Sequence, residues 1–397
     1  MPPAAPPRPH GRRPHVFLDN AASAPPDPAV LDHMSKVDRR HAANPSSVHR
    51  PGLRAMREVE LARHRIAARL GVEPDTIVFT SGGTEANNLA LKGAVWAAPR
   101  HRRHLLVSSI EHPCVLETAA WLHHTGQAEV SHIPVDPLGQ VDPTTVARMI
   151  RPDTLLVSVM HANNEVGTLQ PLHAIGEVCR AAGVLLHTDA CQSFCKVPLD
   201  ASALPIDLIT INGHKVHGPK GVGALYVRPG VALSPLFHGG GHEEGMRSGT
   251  LNVPGIAGFG TAVHVYPPAD GPRMAALART LLGWLNEALP GVRVNGAGPD
   301  GVGNILNISV PGHSGKALFM ALDRRGVAVS SSSACHATKL TPSHVLLAMG
   351  YSDEQADEAL RISLGRFTTR ADIEALRDTL VDIVHTASAA PVPEEHQ

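Results

Sequence analysis

Short runs of aliphatic and β-branched residues alternate with longer segments of helical period, and this alternation limits the possible folds more than any other feature. Six apolar runs predict strands: Thr76–Thr80, His104–Ser108, Thr154–Met160, Val184–Ala190, Asp207–Asn212 and Ala224–Arg228. Segments between them predict helices over Glu85–Trp96, from about Pro113 onward, and over Leu172–Ala182. Continuous apolar strands separated by helices predict an α/β fold whose mostly parallel sheet is flanked by helices on both faces.

A proline- and glycine-rich segment, Pro267–Pro272, predicts a domain boundary. Beyond it we expect a smaller α+β domain, with a helix over Met274–Leu289, a strand over Asn304–Val310, a helix over Lys316–Arg325, a short strand near Val327 and two more helices. The predicted large domain spans residues 16–266, of which 16–30 pack on the small domain, and the small domain spans 267–388. Residues 1–15, rich in proline and arginine, predict a disordered lead-in, and residues 389–397 a flexible tail.

Composition excludes several classes of protein. The 397 residues carry 35 Lys+Arg against 36 Asp+Glu, a formal net charge of −1, which gives no reason to expect a nucleic-acid or membrane surface. The five cysteines are too few for a disulfide framework, and the N-terminus has no apolar stretch typical of a secretory signal, so we expect a cytoplasmic protein. Cys191 and Cys195 predict two buried residues after a strand, because no Cys/His pair at zinc-ligand spacing lies nearby; we expect no metal.

The segment Ser81–Asn88 (SGGTEANN) follows a predicted strand and opens a predicted helix. Its glycines allow close approach of a ligand, and the free N–H groups of a helix start favour an anion, so Gly83 and Thr84 are candidates for holding a phosphate. An ordinary capped turn explains the segment equally well, with Thr84 as the N-cap and Glu85 complementing the helix dipole. From this segment alone the two interpretations stay open.

Two further strand ends carry an unusual pair of side chains. Lys215 follows the strand that ends at Asn212, and a lysine amine at a sheet edge suits a Schiff base with an aldehyde. Asp189 ends the preceding strand, where a carboxylate is the partner that the ring nitrogen of pyridoxal phosphate requires. Gln192, three residues later, is placed to reach the ring hydroxyl. Together with a turn that is a candidate for holding a phosphate, these residues form the specific set of groups that pyridoxal phosphate requires.

Several ordered motifs carry a family resemblance: Leu18–Ala22 (LDNAA), Phe79–Asn88, Glu111–Pro113, Met160–Gly167 (MHANNEVG), Gly213–Lys215, Gly239–Thr250 (GGGHEEGMRSGT), Ser330–Cys335 (SSSSAC) and Arg361–Thr369 (RISLGRFTT). In these motifs the chain, from about Phe17 to Thr369, resembles the cysteine desulfurases of the NifS/IscS type. That family lies within the class V aminotransferases, which are fold-type-I pyridoxal phosphate enzymes. The resemblance implies an aspartate aminotransferase-like fold and a homodimer.

The resemblance also implies roles for individual residues. Lys215 would bind the cofactor covalently, Asp189 would pair with its ring nitrogen, Gln192 with its phenolic oxygen, and His112 would stack on the ring and move protons. Gly83, Thr84 and His214 would hold the phosphate, together with Thr250 of a partner subunit, and Asn212 lies where the family usually has serine. Asn164 and Arg361 would orient the substrate carboxylate, since the guanidinium fork binds a carboxylate through two hydrogen bonds.

Cys335 decides the expected reaction, because an aminotransferase needs no thiol. Its polar serine-rich segment favours a thiolate over a structural cysteine. We therefore expect sulfur removal from L-cysteine, giving L-alanine and a Cys335 persulfide. The alternatives are a selenocysteine lyase or cysteine/cystine lyase, a class V aminotransferase, and a non-catalytic scaffold for sulfur transfer. The acceptor stays open among proteins of iron–sulfur assembly, tRNA thiolation, DNA modification and biosynthesis, although the short C-terminus favours a dedicated acceptor.

Overall fold

The computed structural model describes residues 16–331 and 342–388. The predictions for residues 1–15 and 389–397, and the one for Cys335, lie outside the described residues.

A seven-stranded sheet forms the centre of the larger part of the chain. Its strands, in chain order, are β2 (Ile77–Thr80), β3 (His104–Ser108), β4 (Glu129–Ile133), β5 (Thr154–Ser158), β6 (Leu185–Asp189), β7 (Leu208–Asn212) and β8 (Gly223–Val227). They lie in the spatial order β2-β8-β7-β6-β5-β3-β4. Strand β8 is antiparallel to both of its neighbours, and all other pairs are parallel. Because parallel strands need crossover connections, helices cover this sheet.

Helices cover the sheet on both faces, as the sequence predicts. They are α1 (Pro28–Arg40), α2 (Arg50–Leu70), α3 (Gly83–Ala97), α4 (Pro113–His124), α5 (Pro143–Met149), α6 (Leu172–Ala182) and α7 (Val253–Val265). Leu106 of β3 packs in a core cluster with α2 and α7, whereas its neighbours Leu105 and Val107 pack in a second cluster with α3 and α4. Among the described helices, none is both long and apolar enough to cross a lipid bilayer.

The rest of the described residues build two smaller sheets, and most of these residues' buried apolar side chains form a separate hydrophobic cluster. One sheet is four-stranded, in the order β12 (Ser330–Ser331), β13 (Ala359–Ser363), β10 (Ile305–Ser309), β9 (Arg293–Val294), with all pairs antiparallel. In the other, β1 (Val16–Phe17) pairs in parallel with β11 (Val327–Ala328). The accompanying helices are α8 (Asp270–Ala288), α9 (Gly315–Arg324), α10 (His344–Ala348), α11 (Asp353–Asp357) and α12 (Arg370–Ser388).

The observed elements confirm the predicted α/β fold and correct parts of it. The domain boundary at residues 266/267 stays a prediction. The hydrophobic cluster built on α8 and α12 is consistent with it, because the cluster's residues come from 16–18 and from 274 onward. The prediction of two helices after Val327 is wrong in number, because α10, α11 and α12 follow among the described residues. It also missed strand β13, which lies between α11 and α12. The strand expected to reach Met160 ends at Ser158, and the helix expected from Glu85 begins at Gly83.

Candidate active site

A cavity of about 270 Å³ opens at the carboxyl ends of strands β6 and β7. Ligands of open α/β sheets bind at this edge, because the loops after parallel strands meet there. The predicted residues Gly83, Thr84, His112, Asn164, Asp189, Asn212, His214, Lys215 and Arg361 all line this cavity. The structure therefore brings together side chains that lie up to 278 residues apart (361 − 83) in the sequence.

Asp189 is the buried carboxylate of this cavity. It is the last residue of β6, where its Oδ1 accepts the Cys191 N–H at 2.9 Å and its Oδ2 accepts Asn87 Nδ2–H at 2.7 Å. Burial opposes ionisation, but the charge of Lys215 and these two hydrogen bonds outweigh it, so the pKa of Asp189 lies below its usual range. Asp189 is thus a fixed anion facing the cavity.

Lys215 lies on the turn that follows β7. Asn212, the last residue of that strand, accepts the Lys215 backbone N–H at 3.3 Å through its side-chain oxygen and so fixes the start of the turn. His214 lies against Ser23, with Nδ1 3.3 Å from the hydroxyl. Burial and the nearby Lys215 charge lower the pKa of His214 to about 4, so its imidazole is neutral at physiological pH.

The N-terminus of α3 is capped by a glycine and not by Thr84. Gly82 is the N-cap at φ 154°, and no side chain in the described part of the protein caps the helix. Thr84 is the second helical residue. A Cβ added to Gly83 would lie 2.7 Å from Cys191 Sγ, which explains the need for glycine there. Glu85 accepts Ser81 N–H and pairs with Arg247, both at 2.8 Å, and does not line the cavity. Uncapped N–H groups beside a cavity form the arrangement that binds phosphate.

His112 is the N-cap of α4, where its Nδ1 accepts the Cys114 N–H at 3.2 Å. Burial, reinforced by the charge of Lys215, lowers the pKa of His112 to about 4. The ring is therefore neutral near pH 7 and has its proton on Nε2, because Nδ1 accepts a hydrogen bond from a backbone amide.

Arg361 reaches the cavity from β13 of the four-stranded sheet. Its Nη1–H donates to the Asn164 carbonyl at 3.0 Å, and its Nη2–H donates to Asp19 Oδ1 at 2.8 Å. Arg361 Nε and Asn164 Oδ1 are buried and have no hydrogen-bond partner among the described residues. These two atoms are available to a ligand that enters the cavity.

Two predicted residues lie away from the cavity, and a third is not described. Gln192 is buried, and its Nε2–H donates to the Ala21 carbonyl at 2.8 Å; its acceptor Oε1 has no partner among the described residues. Thr250 is exposed and does not line this chain's own cavity. Cys335 lies outside the described residues. The individual roles expected for all of these side chains stay predictions.

The residues that are present fit pyridoxal phosphate. An aldehyde needs an amine, a pyridine nitrogen needs a carboxylate and a phosphate needs free N–H groups; Lys215, Asp189 and the start of α3 line one cavity. The glycine at position 83 and the unpartnered polar atoms of Arg361 and Asn164 are further signs of a cavity built around a polar ligand.

Sequence reasoning missed Asn87 and Cys114 as side chains of the cavity wall, and it expected Cys191, which also lines the cavity, only as a buried residue after a strand. Asn87 is fully buried and holds Asp189, and Cys114 lies beside His112. A signal existed for each: Asn87 lies three residues after Thr84 and so shares its helix face, and Cys114 follows His112 by two residues.

Comparison with known proteins places this arrangement in a family. The aminotransferase class-V family matches residues 16–376. The chain belongs to the cysteine desulfurase branch of the class-V aminotransferases. The cysteine desulfurase IscS of Serratia proteamaculans is 44% identical over 367 residues, which cover 90% of each chain. A solved NifS-like protein superposes with a TM-score of 0.88 at 35% identity, covering 94% of this chain and all of that one. The structure titled SspA in complex with cysteine superposes with a TM-score of 0.80 at 38% identity, covering 89% and 99% of the two chains.

Proposed function

We propose that this chain is a pyridoxal phosphate-dependent cysteine desulfurase that converts L-cysteine to L-alanine and keeps the sulfur on Cys335 as a persulfide. The observation that carries the proposal is the meeting of Lys215, Asp189 and Arg361 around one cavity, in a member of this family. A solved relative is titled as a complex with cysteine, which supports that substrate class.

Each side chain has a task in this proposal. Lys215 would bind the aldehyde of the cofactor. The start of α3, with Thr84 and His214, would bind the phosphate, and the ionised Asp189 would pair with the ring nitrogen. When bound, pyridoxal phosphate withdraws the electrons released at the substrate's α-carbon. Lys215 Nζ takes the α-proton, and His112 exchanges a proton with the substrate through Nε2. Arg361 and Asn164 orient the substrate carboxylate.

Cys335 completes the reaction by accepting the sulfur. Its thiolate forms a bond with the substrate sulfur while the carbon–sulfur bond breaks and leaves its electron pair with carbon, which takes up a proton. The products are alanine and a persulfide on Cys335. An acceptor protein or a reductant then takes the outer sulfur and restores the Cys335 thiol. We place this chemistry in the cytoplasm, where free thiols persist. The identity of the acceptor stays open among the classes named above.

A dimer is part of the proposal because Thr250 is exposed and does not line its own chain's cavity. We expect Thr250 to contribute to the partner's phosphate site. Mixed dimers of Thr250→Ala and Lys215→Ala chains test this: if Thr250 acts across the interface, one of the two sites in a hybrid has both residues intact. Activity well above that of either variant alone supports the exchange, and no gain on mixing contradicts it.

The enzymatic test is a product measurement. The purified protein is loaded with pyridoxal phosphate and given L-cysteine with a dithiol reductant. We expect a visible absorption band from the bound cofactor, with alanine and sulfide released in equal amounts. Faster transfer of the amino group to a 2-oxo acid indicates an aminotransferase, and a strong preference for selenocysteine indicates a lyase. Absence of both the absorption band and turnover indicates a scaffold; each of these three results contradicts the proposal.

A further inference from the structure

Cys114 lines the cavity, yet the proposed reaction does not use it. It is the second residue of α4 and is partly exposed, with its Sγ 3.0 Å from Nδ1 of His112. The same nitrogen accepts the backbone N–H of Cys114 at 3.2 Å. The thiol and the backbone N–H of Cys114 thus both contact Nδ1 of His112.

The amide N–H fixes the direction of the second contact. A backbone N–H can only donate, so Nδ1 of the neutral ring presents its lone pair, and the thiol beside it must also donate. The thiol has a proton to give: burial, with the charge of Asp189, raises the pKa of Cys114 to about 12 despite hydrogen bonds from Asn87 and Thr84. The contact is therefore S–H···N.

The sulfur also accepts a hydrogen bond on its other side. Asn87 Nδ2–H donates to Cys114 Sγ at 3.1 Å, and the same amide nitrogen donates to Asp189 Oδ2 at 2.7 Å. Asn87 is fully buried, and its Oδ1 has no partner among the described residues, so the amide is oriented by the carboxylate and the sulfur together. A continuous chain of hydrogen bonds links Asp189, Asn87, Cys114 and His112.

We propose that Cys114 is a positioning residue that holds His112 in the Nε2–H tautomer and couples its ring, through Asn87, to the carboxylate of Asp189. The consequence is that His112 enters the reaction as a proton donor at Nε2. A proton on Nδ1 would displace both hydrogen bonds from Cys114, so the network opposes the doubly protonated ring. Only the catalytic consequence rests on the proposed function; the hydrogen bond itself does not.

Infrared spectroscopy tests the hydrogen bond in the whole protein without substrate. The S–H stretch of a thiol falls in a window where other protein groups do not absorb, and it moves to lower frequency when the S–H donates. Subtracting the spectrum of Cys114→Ala isolates the Cys114 band, and subtracting Cys179→Ala gives the matched control. Cys179 lies on α6 and is buried in the hydrophobic cluster against which that helix packs. We expect the Cys114 band to lie below its frequency in His112→Phe, whereas the Cys179 band stays unchanged; an unmoved Cys114 band overturns the proposal.

The pH dependence of turnover tests the effect on His112. The other titratable groups that act on His112 are Lys215, Asp189 and His344, and none of them is substituted in the variants compared. A hydrogen-bond donor to the Nδ1 lone pair favours the neutral ring, so its loss in Cys114→Ala should raise the pKa of His112. The midpoint of the acidic limb of the kcat profile should then move to higher pH by about half to one unit. Cys114→Ser keeps a hydroxyl donor and should restore the wild-type limb. Identical limbs in all three proteins contradict the positioning role, whereas inactivity of all three refutes the proposed function and leaves the infrared result valid.

Discussion

The two main sheets contribute different halves of the candidate site. The parallel strands β6 and β7 of the seven-stranded sheet end in Asp189 and in the turn that carries Lys215, the groups suited to a cofactor. The antiparallel four-stranded sheet supplies Arg361, and its strand β12 pairs Ser330 with Arg361 just before the segment that contains Cys335. Under the proposed function, one sheet serves the cofactor, and the other serves the substrate and its sulfur.

This division predicts that cofactor binding and sulfur removal can be separated by mutation. Changes at the ends of the parallel strands should affect the cofactor spectrum and all turnover. Changes on the antiparallel sheet or in its adjoining segment should leave the spectrum intact. The two parts of the site meet where Arg361 of β13 donates to the carbonyl of Asn164, in the loop that follows β5.

The largest effect is expected for Lys215→Ala. Loss of the amine removes both the covalent attachment of the cofactor and the base, so turnover should fall by about 10⁴-fold or more. The visible band of the lysine-bound cofactor should disappear. Lys220→Ala, at an exposed lysine in the same loop, is the control and should retain both. A normal band in the Lys215 variant contradicts the assignment.

Cys335→Ser should separate the two halves of the site. The spectrum of the bound cofactor should match the wild type, because Asp189 and Lys215 are unchanged. Persulfide formation should stop, and sulfide release should fall on the order of 10³-fold or more, since the nucleophile is gone. Cys179→Ser controls for the loss of a thiol. Alanine and sulfide formed at the native rate would refute the role of Cys335.

Arg361→Lys should have a smaller effect, confined to the substrate. A lysine keeps the charge but loses the planar fork that contacts Asn164 and Asp19. We expect KM for cysteine to rise by about 10- to 100-fold, the value of one or two charge-assisted hydrogen bonds, with an unchanged cofactor spectrum. Arg293→Lys, on the outer strand of the same sheet, is the matched control. A lost spectrum, or an unchanged KM, argues against the division between the two sheets.

Two strand ends of the site were predictable from the sequence, because buried parallel strands are continuous apolar runs and a polar residue marks where such a run stops. Asp189 and Asn212 were found in this way. The end of β5 was expected at Met160 and lies at Ser158. Strand β4 was missed because it lies at the sheet edge and is half exposed, so it lacks such a run. The Asn87–Cys114 contact was not predictable, because it depends on how closely α3 and α4 approach each other.

Lys196 gives the prediction with the smallest expected effect. It lies where the part of the chain that contains the seven-stranded sheet contacts helix α8, a contact that we call the seam. It lines a cleft of about 600 Å³, and Gly271 of α8 packs so tightly on it that a Cβ there would lie 2.1 Å from the Lys196 carbonyl oxygen. Its Nζ–H donates to the Gln192 carbonyl at 2.8 Å. Burial, followed by the charge of Lys215, lowers the pKa of Lys196 to about 7.

The sign of its effect on stability follows from proton binding. Between pH 7 and the ordinary lysine pKa of about 10.4, the unfolded chain binds a proton at Lys196 that the folded chain has lost. The free energy of unfolding should therefore rise with pH across this window, by about 1.4 kcal/mol per pH unit from this residue. Chemical denaturation at several pH values should show a correspondingly weaker rise for Lys196→Met, whereas Lys220→Met should follow the wild type. Parallel curves for Lys196→Met and the wild type would mean that Lys196 keeps its charge in the folded protein, and that the seam admits enough water to solvate it.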